Sequence, residues 1–211
     1  MGRLLIVDQM HPDRTAVDQA VAALASGGVL VMPTDSVYGI GCAAQPGNPG
    51  HERIFAIKRR DRAQTLPWLI ADAGDLMRYA VDLTPASLAL ATAFWPGALT
   101  LVVRASEEVA PEYRSADGTI ALRLPNSNLV REIARRAGCA LAATSANTHG
   151  ESAAISGEAV EPRIVEAADL TLDAGPAPLA AVSTIVDVTG VEPIILREGA
   201  ISREHVRGAL A

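Results

Sequence analysis

The sequence predicts a mixed α/β (α+β) fold: one domain with a large twisted mixed β-sheet flanked by helices. Short apolar runs rich in β-branched residues interleave with segments whose apolar residues recur at helical spacing, without a strict strand–helix–strand period. The length of 211 residues, with 49% hydrophobic and 20% charged residues, suits one globular domain covering residues 1–211. A chain of this size can bury a sizeable core.

Strands are predicted for short apolar runs that are bounded by glycine, proline or charged residues. These runs are residues 4–7, 29–32, 66–71, 99–103, 119–124, 140–143, 183–188 and 194–196. The run at 119–124 also alternates, which places Thr119, Ala121 and Arg123 on one face of the strand.

Helices are predicted where apolar residues recur three or four positions apart. They cover residues 14–26, 52–58, 75–81, 85–94, 129–137 and 158–167, with a last amphipathic turn from residue 202. Glycines at 27, 28 and 138 follow two of these helices, as glycine does after a helix C-cap. The segments 148–156 and 173–181 are predicted loops within the domain.

Charge and cysteine content disfavour several classes of protein. A formal net charge of −6 argues against a protein that coats nucleic acid, because the phosphate backbone would be repelled. No stretch approaches the ~20 apolar residues of a membrane helix, and the N-terminal apolar run is too short for a secretion signal. Cys42 and Cys139 match neither a disulfide framework nor a zinc motif, so we expect a cytoplasmic protein.

Two segments stand out for their functional groups, although each has a structural explanation as well. In P-T-D-S-V-Y-G-I-G, residues 33–41, the hydroxyls of Thr34, Ser36 and Tyr38 would project to one side of an extended backbone. A polar turn with structural glycines would explain the same residues. The segment 58–62, K-R-R-D-R, is either a polyphosphate clamp or a solvated helix end.

Arg123 presents a sharper choice because its strand is predicted to be buried. A buried guanidinium needs an anion, which is either a bound ligand or a structural carboxylate. A tryptophan turn is most simply explained as structural, and three further segments are ambiguous when each is taken alone. They are W-P-G at 95–97, T-S-A-N at 144–147, S-T-I-V-D at 183–187 and L-R-E-G at 196–199.

In their order along the chain, these segments resemble the YrdC/TsaC family of L-threonylcarbamoyladenylate synthases. The family pattern is P-T-(E/D)-(T/S)-V-Y-G-L-G, I-F-x-x-K-x-R-P, W-P-G-P-L-T, T-x-A-x-R-x-P, S-A-N, S-T-V-V-D and L-R-x-G, and each part has a counterpart here. The resemblance implies a YrdC-like fold of the single-domain type with a concave basic cavity. It also implies a nucleotidyltransferase that converts ATP, bicarbonate and L-threonine to threonylcarbamoyl-AMP and pyrophosphate, the first step of threonylcarbamoyl-adenosine formation in tRNA.

The resemblance assigns roles to individual positions. Expected ATP-binding residues are Lys58, Arg60, Gln64, Thr119, Ser145, Asn147 and Arg197, of which Lys58 and Arg60 would be catalytic at the leaving pyrophosphate. Expected threonine-binding residues are Thr34, Ser36, Tyr38, Arg123, Ala143 and Ser183. Mg²⁺ is expected to arrive with ATP rather than at a dedicated protein site. The expected partner is a downstream threonylcarbamoyl-transferase complex, with neither stable nucleic-acid binding nor membrane association.

Three departures from the family pattern bear on this assignment. Asp61 replaces a proline, Leu69 stands where many members carry a threonine-contacting histidine, and Leu-Ala-Ala at 179–181 replaces a glycine-rich stretch. Two alternative functions are an RNA-binding or ribosome-assembly module of the same fold and a carbamoyltransferase with another acceptor. The acidic pI of about 5.2 counts against the first, and the lack of extra domains counts against the second.

Overall fold

The computed structural model describes residues 3–62 and 64–210. In this part of the chain, eleven strands form one sheet and seven α-helices lie against it. The strands are β1 (Arg3–Ile6), β2 (Leu30–Met32), β3 (Gly39–Ala43), β4 (Trp68–Leu69), β5 (Ala80–Val81), β6 (Leu99–Ala105), β7 (Thr119–Arg123), β8 (Leu141–Ser145), β9 (Leu170–Asp173), β10 (Thr184–Asp187) and β11 (Ile194–Arg197). The helices are α1 (Arg14–Ala25), α2 (Pro49–Lys58), α3 (Asp75–Tyr79), α4 (Pro85–Phe94), α5 (Asn128–Ala137), α6 (Pro162–Ala167) and α7 (Arg203–Gly208), with a 3₁₀ turn at Pro111–Tyr113.

The sheet is mixed, as the sequence predicted. Its strand order is β1-β9-β2-β3-β8-β4-β7-β6-β10-β11, and β5 pairs with the end of β6. Parallel pairs are β1–β9, β9–β2, β4–β7 and β6–β10, whereas the remaining neighbours are antiparallel. The chain therefore crosses the sheet repeatedly, and distant segments meet at its centre.

The helix ends follow from local sequence. Asp13 caps α1 by accepting hydrogen bonds from the backbone N–H groups of Thr15 and Ala16. Ser127 caps α5 in the same way through the N–H of Val130. Gly138 ends α5 with a φ of 70°, a left-handed conformation that glycine adopts without steric cost.

Hydrophobic cores lie on both faces of the sheet, but they differ in extent. On one face, α2, α3, α4, α6 and α7 pack along most of the sheet. On the other face, α1 and α5 cover the half formed by β9, β2, β3, β8 and β4. Among the described residues, that second core includes no side chain of β7, β6, β10 or β11. This half of the sheet is thus left without a helix over it, and the cavity described below opens at its boundary with the covered half.

The predicted fold class is confirmed, with differences in detail. Strands β3 and β9 were not predicted, and the helix expected over 158–167 begins only at Pro162. The strand expected over 66–71 is reduced to Trp68–Leu69, and the segment 75–81 divides into α3 and β5. Within the described residues, no helix combines the length and the apolar character required to cross a membrane.

Candidate active site

A cavity of about 320 Å³ lies at the boundary between the covered and uncovered halves of the sheet, because its lining residues come from β3, β4 and β8 as well as from β6, β7, β10 and β11. Its floor comes from β4, β6, β7, β8 and β10, and its walls come from the loops around them. Its polar lining residues are Thr34, Ser36, Tyr38, Arg60, Thr65, Thr100, Arg123, Thr144, Ser145, Ser183 and Arg197. Among the residues that the structure describes, three arginines and no acidic residue line it, so the basic character that the resemblance implied is present.

Arg123 lies at the end of β7 and is almost fully buried. Its Nε donates to the Gly97 carbonyl at 3.0 Å, Nη1 to Ser36 Oγ at 2.7 Å and Nη2 to Asp35 Oδ1 at 2.5 Å. Burial lowers the pKa of Arg123, and the Asp35 carboxylate opposes that shift, so the guanidinium remains charged. The guanidinium therefore has a structural carboxylate partner and also faces the cavity.

Gly97 explains why the W-P-G turn belongs to the site. Its N–H donates to the Leu124 carbonyl at 2.8 Å, and its own carbonyl accepts from Arg123. A Cβ on Gly97 would lie 2.5 Å from the Phe94 carbonyl oxygen, so a larger residue would displace this turn. Trp95 Nε1 donates to the Leu99 carbonyl at 2.7 Å and fixes the turn to the start of β6.

The segment 33–38 is bent rather than extended. Thr34 Oγ1 donates to the Val37 carbonyl at 2.6 Å and lies 3.0 Å from Ser36 Oγ, which closes a local turn. The Tyr38 hydroxyl donates to Asp173 Oδ1 and the Gly175 carbonyl, and burial raises its pKa. Of the three predicted hydroxyls, only that of Ser36 contacts Arg123. The Tyr38 hydroxyl is instead hydrogen-bonded to the end of β9 and the loop that follows it.

Lys58 ends α2 with its ammonium group directed into the protein. It donates to the Ser145 carbonyl and, at 2.6 Å, to the Asn147 carbonyl. Burial, with a smaller contribution from the nearby Arg60, lowers the pKa of Lys58 to about 8. In this arrangement Lys58 fixes the turn after β8 and does not line the cavity.

Arg60 does line the cavity, two positions further along the chain. Its Nη1 donates to Thr144 Oγ1 at 2.9 Å and its Nη2 to the Thr65 carbonyl at 3.1 Å. Its Nε is buried without a hydrogen-bond partner among the described residues. Arg59 is exposed in a left-handed C-cap conformation, and Arg62 forms an ion pair with Glu52. The basic cluster thus contributes one cation, Arg60, to the cavity lining.

Arg197 and Ser183 meet at the far wall of the cavity. Arg197 Nη2 donates to the Ser183 carbonyl at 2.8 Å and to Ser183 Oγ at 3.2 Å. Ser183 Oγ in turn lies 2.9 Å from Thr100 Oγ1. The glycine of L-R-E-G is required here, because a Cβ on Gly199 would lie 2.1 Å from the Val182 carbonyl oxygen.

The cavity thus gathers nine of the thirteen predicted site residues. Those that line it are Thr34, Ser36, Tyr38, Arg60, Arg123, Ala143, Ser145, Ser183 and Arg197. Lys58 lies behind the wall, and Gln64 is exposed to solvent outside it.

Thr119 shares a strand face with Arg123 but does not line the same cavity. Its hydroxyl is bound to Ser115 and Asp117. The Asn147 side chain donates to the carbonyls of Thr148 and Glu151. Thr119, expected to bind ATP from the same strand face, therefore does not share the cavity of Arg123.

Four polar residues at the site were absent from the sequence-based prediction. They are Asp35, Thr65, Thr100 and Thr144. Thr100 carried a usable signal, because it is the polar residue of an otherwise apolar run, L-T-L-V-V.

Comparison with known proteins identifies the family. The model of the Sua5/YciO/YrdC family, described as "Telomere recombination", matches residues 22–199. This chain belongs to the Sua5/YciO/YrdC family. A relative from Mycobacterium leprae, provisionally named threonylcarbamoyl-AMP synthase, is 35% identical over 207 residues, which cover 97% of this chain and 93% of that protein. The threonylcarbamoyl-AMP synthase of Chromohalobacter salexigens is 33% identical and covers 88% of this chain and 98% of its own.

Solved structures of the Sua5/YciO/YrdC family agree with the fold. The crystal structure of P. abyssi Sua5 complexed with L-threonine superimposes with a TM-score of 0.92 at 28% identity. It covers 98% of this chain, which spans about 60% of the length of that protein. E. coli YciO superimposes with a TM-score of 0.88 at 24% identity, a likeness that supports the fold alone.

Proposed function

We propose that this protein is a threonylcarbamoyl-AMP synthase, a nucleotidyltransferase that consumes ATP, bicarbonate and L-threonine and releases pyrophosphate. The observation that carries the proposal is the cavity, in which the Arg123 fork and the Ser36 hydroxyl lie together with Arg60 and Arg197. A site for an α-carboxylate and a polyphosphate needs several cations and no acidic lining. Family membership and the named relatives point to the same reaction.

The reaction joins three substrates in two steps. The threonine amine attacks the carbon of CO₂ derived from bicarbonate, loses a proton and becomes a carbamate. A carbamate oxygen then attacks the α-phosphorus of ATP, and the bond to the bridging oxygen of the β-phosphate breaks. Negative charge grows on the departing pyrophosphate, where preorganised cations are most effective. No covalent bond to the protein is required.

Each cavity residue has a role that fits this chemistry. Each of the three guanidinium nitrogens of Arg123 donates one hydrogen bond within the protein, which fixes the orientation of the side chain. Its remaining N–H groups are therefore preorganised for a carboxylate. Arg60 lines the cavity, and its two terminal nitrogens donate only one N–H each, to Thr144 Oγ1 and the Thr65 carbonyl, so the remaining N–H groups suit a phosphate oxygen. Arg197, whose pKa is lowered by burial, supplies a second cation near Ser183. Lys58 positions the turn that carries Ser145.

Mg²⁺ enters this proposal with ATP. Within the described residues, no group of three or more histidine, cysteine or acidic side chains could hold a metal. Asp35, the carboxylate bonded to Arg123, also accepts the Asn126 N–H. The phosphate oxygens and water would therefore provide most ligands. We further propose a cytoplasmic enzyme that delivers its adenylate to a threonylcarbamoyl-transferase complex without stable binding of nucleic acid itself.

Pyrophosphate release from ATP tests the proposal directly. The purified protein is incubated with ATP and Mg²⁺, with threonine and bicarbonate added singly and together. We expect release only when both are present, and no requirement for tRNA. Other amino acids serve as matched controls. Equal release without threonine, or with any amino acid, would contradict the assignment.

A filter-binding assay over a salt series distinguishes the proposed enzyme from the alternative, an RNA-binding module. A binding module would retain RNA with a steep salt dependence, since each neutralised phosphate releases counterions. The proposed enzyme should retain almost none.

A further inference from the structure

Thr100, the last residue of the segment W-P-G-A-L-T, lies beside Arg123, but no role was predicted for it from the sequence. Strands β6 and β7 pair Leu101 with Leu122, so the next pair along the same ladder is Thr100 and Arg123. On the other side of β7, Leu69 of β4 pairs with Arg123. Adjacent strands lie about 4.8 Å apart. A ligand held by Arg123 therefore has a hydroxyl on one side and a branched apolar side chain on the other.

Thr100 and Ser183 form a pair of hydroxyls in which one O–H is left without an acceptor among the described residues. Arg197 Nη2 donates to Ser183 Oγ, and Ser183 Oγ lies within hydrogen-bond distance of Thr100 Oγ1. Either hydroxyl of this pair can be the donor, but Ser183 Oγ already accepts from Arg197, which polarises its O–H and makes Ser183 the stronger donor, so we take Ser183 to donate to Thr100. The O–H of Thr100 then has no acceptor, because Ser183 is the one hydrogen-bond partner of Thr100 Oγ1 among the described residues. Thr100 is only 2% exposed and lines the cavity, so this donor can be satisfied by a bound ligand.

We propose that Thr100 is a specificity-determining residue that donates a hydrogen bond to the β-hydroxyl of threonine, while Leu69 packs against the β-methyl group. The inference rests on the proposed function, since it assumes that Arg123 holds the carboxylate of an amino acid. The β-carbon of threonine carries one methyl and one hydroxyl group. The two neighbours of Arg123 match that pair of substituents in kind, one apolar and one hydrogen-bonding.

This arrangement discriminates against three close analogues for different reasons. Valine has the shape of threonine but leaves the buried Thr100 donor without a partner. Serine keeps the hydroxyl and loses only the methyl contact with Leu69, which is worth about 10–200-fold at most. L-allo-Threonine exchanges the two substituents, so it presents a methyl group to Thr100 and a hydroxyl to Leu69.

The experiment measures kcat/KM for pyrophosphate release with threonine, valine, serine and L-allo-threonine. The proteins are the wild type, Thr100→Val, which keeps the shape without the hydroxyl, and Thr100→Ser, which keeps the hydroxyl. We expect Thr100→Val to lower the threonine-to-valine ratio by on the order of 10–100-fold, mainly through a higher KM for threonine. The preference for threonine over L-allo-threonine should fall with it. Thr100→Ser should stay within a few fold of the wild type.

Thr171→Val is the matched control. Thr171 is another fully buried strand threonine, but it lies in β9 and does not line the cavity. This variant should leave all four kcat/KM values unchanged. If Thr100→Val fails to fold, as judged by its far-ultraviolet circular dichroism, Thr100→Ala provides the second hydroxyl-free protein.

An unchanged threonine-to-valine ratio in a folded, hydroxyl-free Thr100 variant would overturn the inference. A wild-type protein that releases no pyrophosphate in response to threonine would instead contradict the proposed function. The two failures are therefore distinguishable.

Discussion

Lys58 and Arg60 are two positions apart, but their side chains have different surroundings. The Lys58 ammonium is bound to the carbonyls of Ser145 and Asn147, whereas Arg60 lies in the cavity wall with an unpartnered Nε. The sequence pattern alone gives them the same role, because both are cations of one motif. The contacts separate a residue that positions a turn from one that can reach a phosphate.

Substitution of these cations should have separable effects. Arg60→Ala should lower kcat by about 10²–10³-fold, the usual cost of removing a preorganised charge at a leaving group. Its unfolding temperature should change little. Lys58→Met should lower both kcat and the unfolding temperature, because two buried carbonyls lose their donor. Arg59→Ala, which removes an exposed cation next to both, is the control.

Steady-state kinetics and differential scanning calorimetry provide these measurements. A Lys58→Met protein that loses activity at an unchanged unfolding temperature would contradict the positioning role. It would indicate that Lys58 leaves its carbonyls and binds the phosphates directly.

The sequence located most of the site but not its internal contacts. Strand alternation was enough to identify Arg123 as a buried cation that needs an anion. It could not identify Asp35 as a partner, because the two residues are 88 positions apart and meet only through the order of the sheet. Thr100 was missed for a related reason, since its importance depends on its register with Arg123.

At the scale of secondary structure, the predicted elements failed where apolar periodicity was weak. Strand β3 reads G-I-G-C-A, and its glycines resemble a turn in sequence. In the structure it is a buried central strand, where Gly41 lies against Met32 and Ala142. Strand β9 reads L-T-L-D between a helix and a proline-rich loop, too short for alternation to be recognised. Tertiary packing, not local preference, forms both strands.

Helix α2 carries a buried histidine that should make stability depend on pH. His51 packs against Tyr113 and Phe55, with ring centroids 4.3 and 5.2 Å away. Its Nε2 has no hydrogen-bond partner within the described residues, and burial lowers its pKa below the usual 6.5. A protonated His51 would therefore be a buried cation whose Nε2–H lacks an acceptor among the described residues, although the charge of Glu112 offsets part of this cost.

The sign of the effect follows from linkage. Between the lowered folded pKa and about 6.5, the unfolded chain binds more protons at His51 than the folded protein does, so stability falls as pH falls. His51→Phe keeps an aromatic ring and cannot titrate. Below pH 6.5, we expect the free energy of unfolding to fall more for the wild type than for His51→Phe. Above pH 7, the stability curves of the two proteins should be parallel.

Urea unfolding at a series of pH values measures this difference. Carboxylates whose pKa is lowered by contacts away from His51, such as Asp13, affect both proteins at more acidic pH and cancel in the comparison. Parallel stability curves throughout the range from pH 5 to pH 7 would contradict the prediction.

At the scale of the whole molecule, the distribution of cations distinguishes the cavity from the other concave surface. A groove of about 590 Å³ between α1 and α5 also contains arginines, namely Arg14, Arg131, Arg135 and Arg136. Asp18 and Asp72 form ion pairs with these arginines. Their charge is largely offset, and such exposed pairs contribute little to stability. In the cavity, Arg123 is likewise paired with Asp35, but Arg60 and Arg197 form no ion pair within the described residues, so anion binding should concentrate at these two cations.

The cavity draws its walls from strands that span the order of the sheet, so ligands should stabilise the whole domain. A ligand that binds only the folded state at 100 times its Kd adds about 2.7 kcal/mol to the free energy of unfolding. For a chain of this size, that corresponds to a rise of roughly 5–10 °C in Tm. We expect threonine and ATP each to raise the Tm of the wild type.

Arg123→Lys separates the two ligands. Lysine keeps a charge for Asp35 but cannot reproduce the planar fork that also reaches Gly97 and Ser36. The variant should lose most of the Tm rise caused by threonine and keep that caused by ATP, because Arg60 and Arg197 are unchanged. Calorimetric titration of each ligand checks the same split in Kd. A threonine response equal to that of the wild type would mean that Arg123 serves the fold through Asp35 alone, and loss of the ATP response with threonine binding intact would place the phosphates at Arg123.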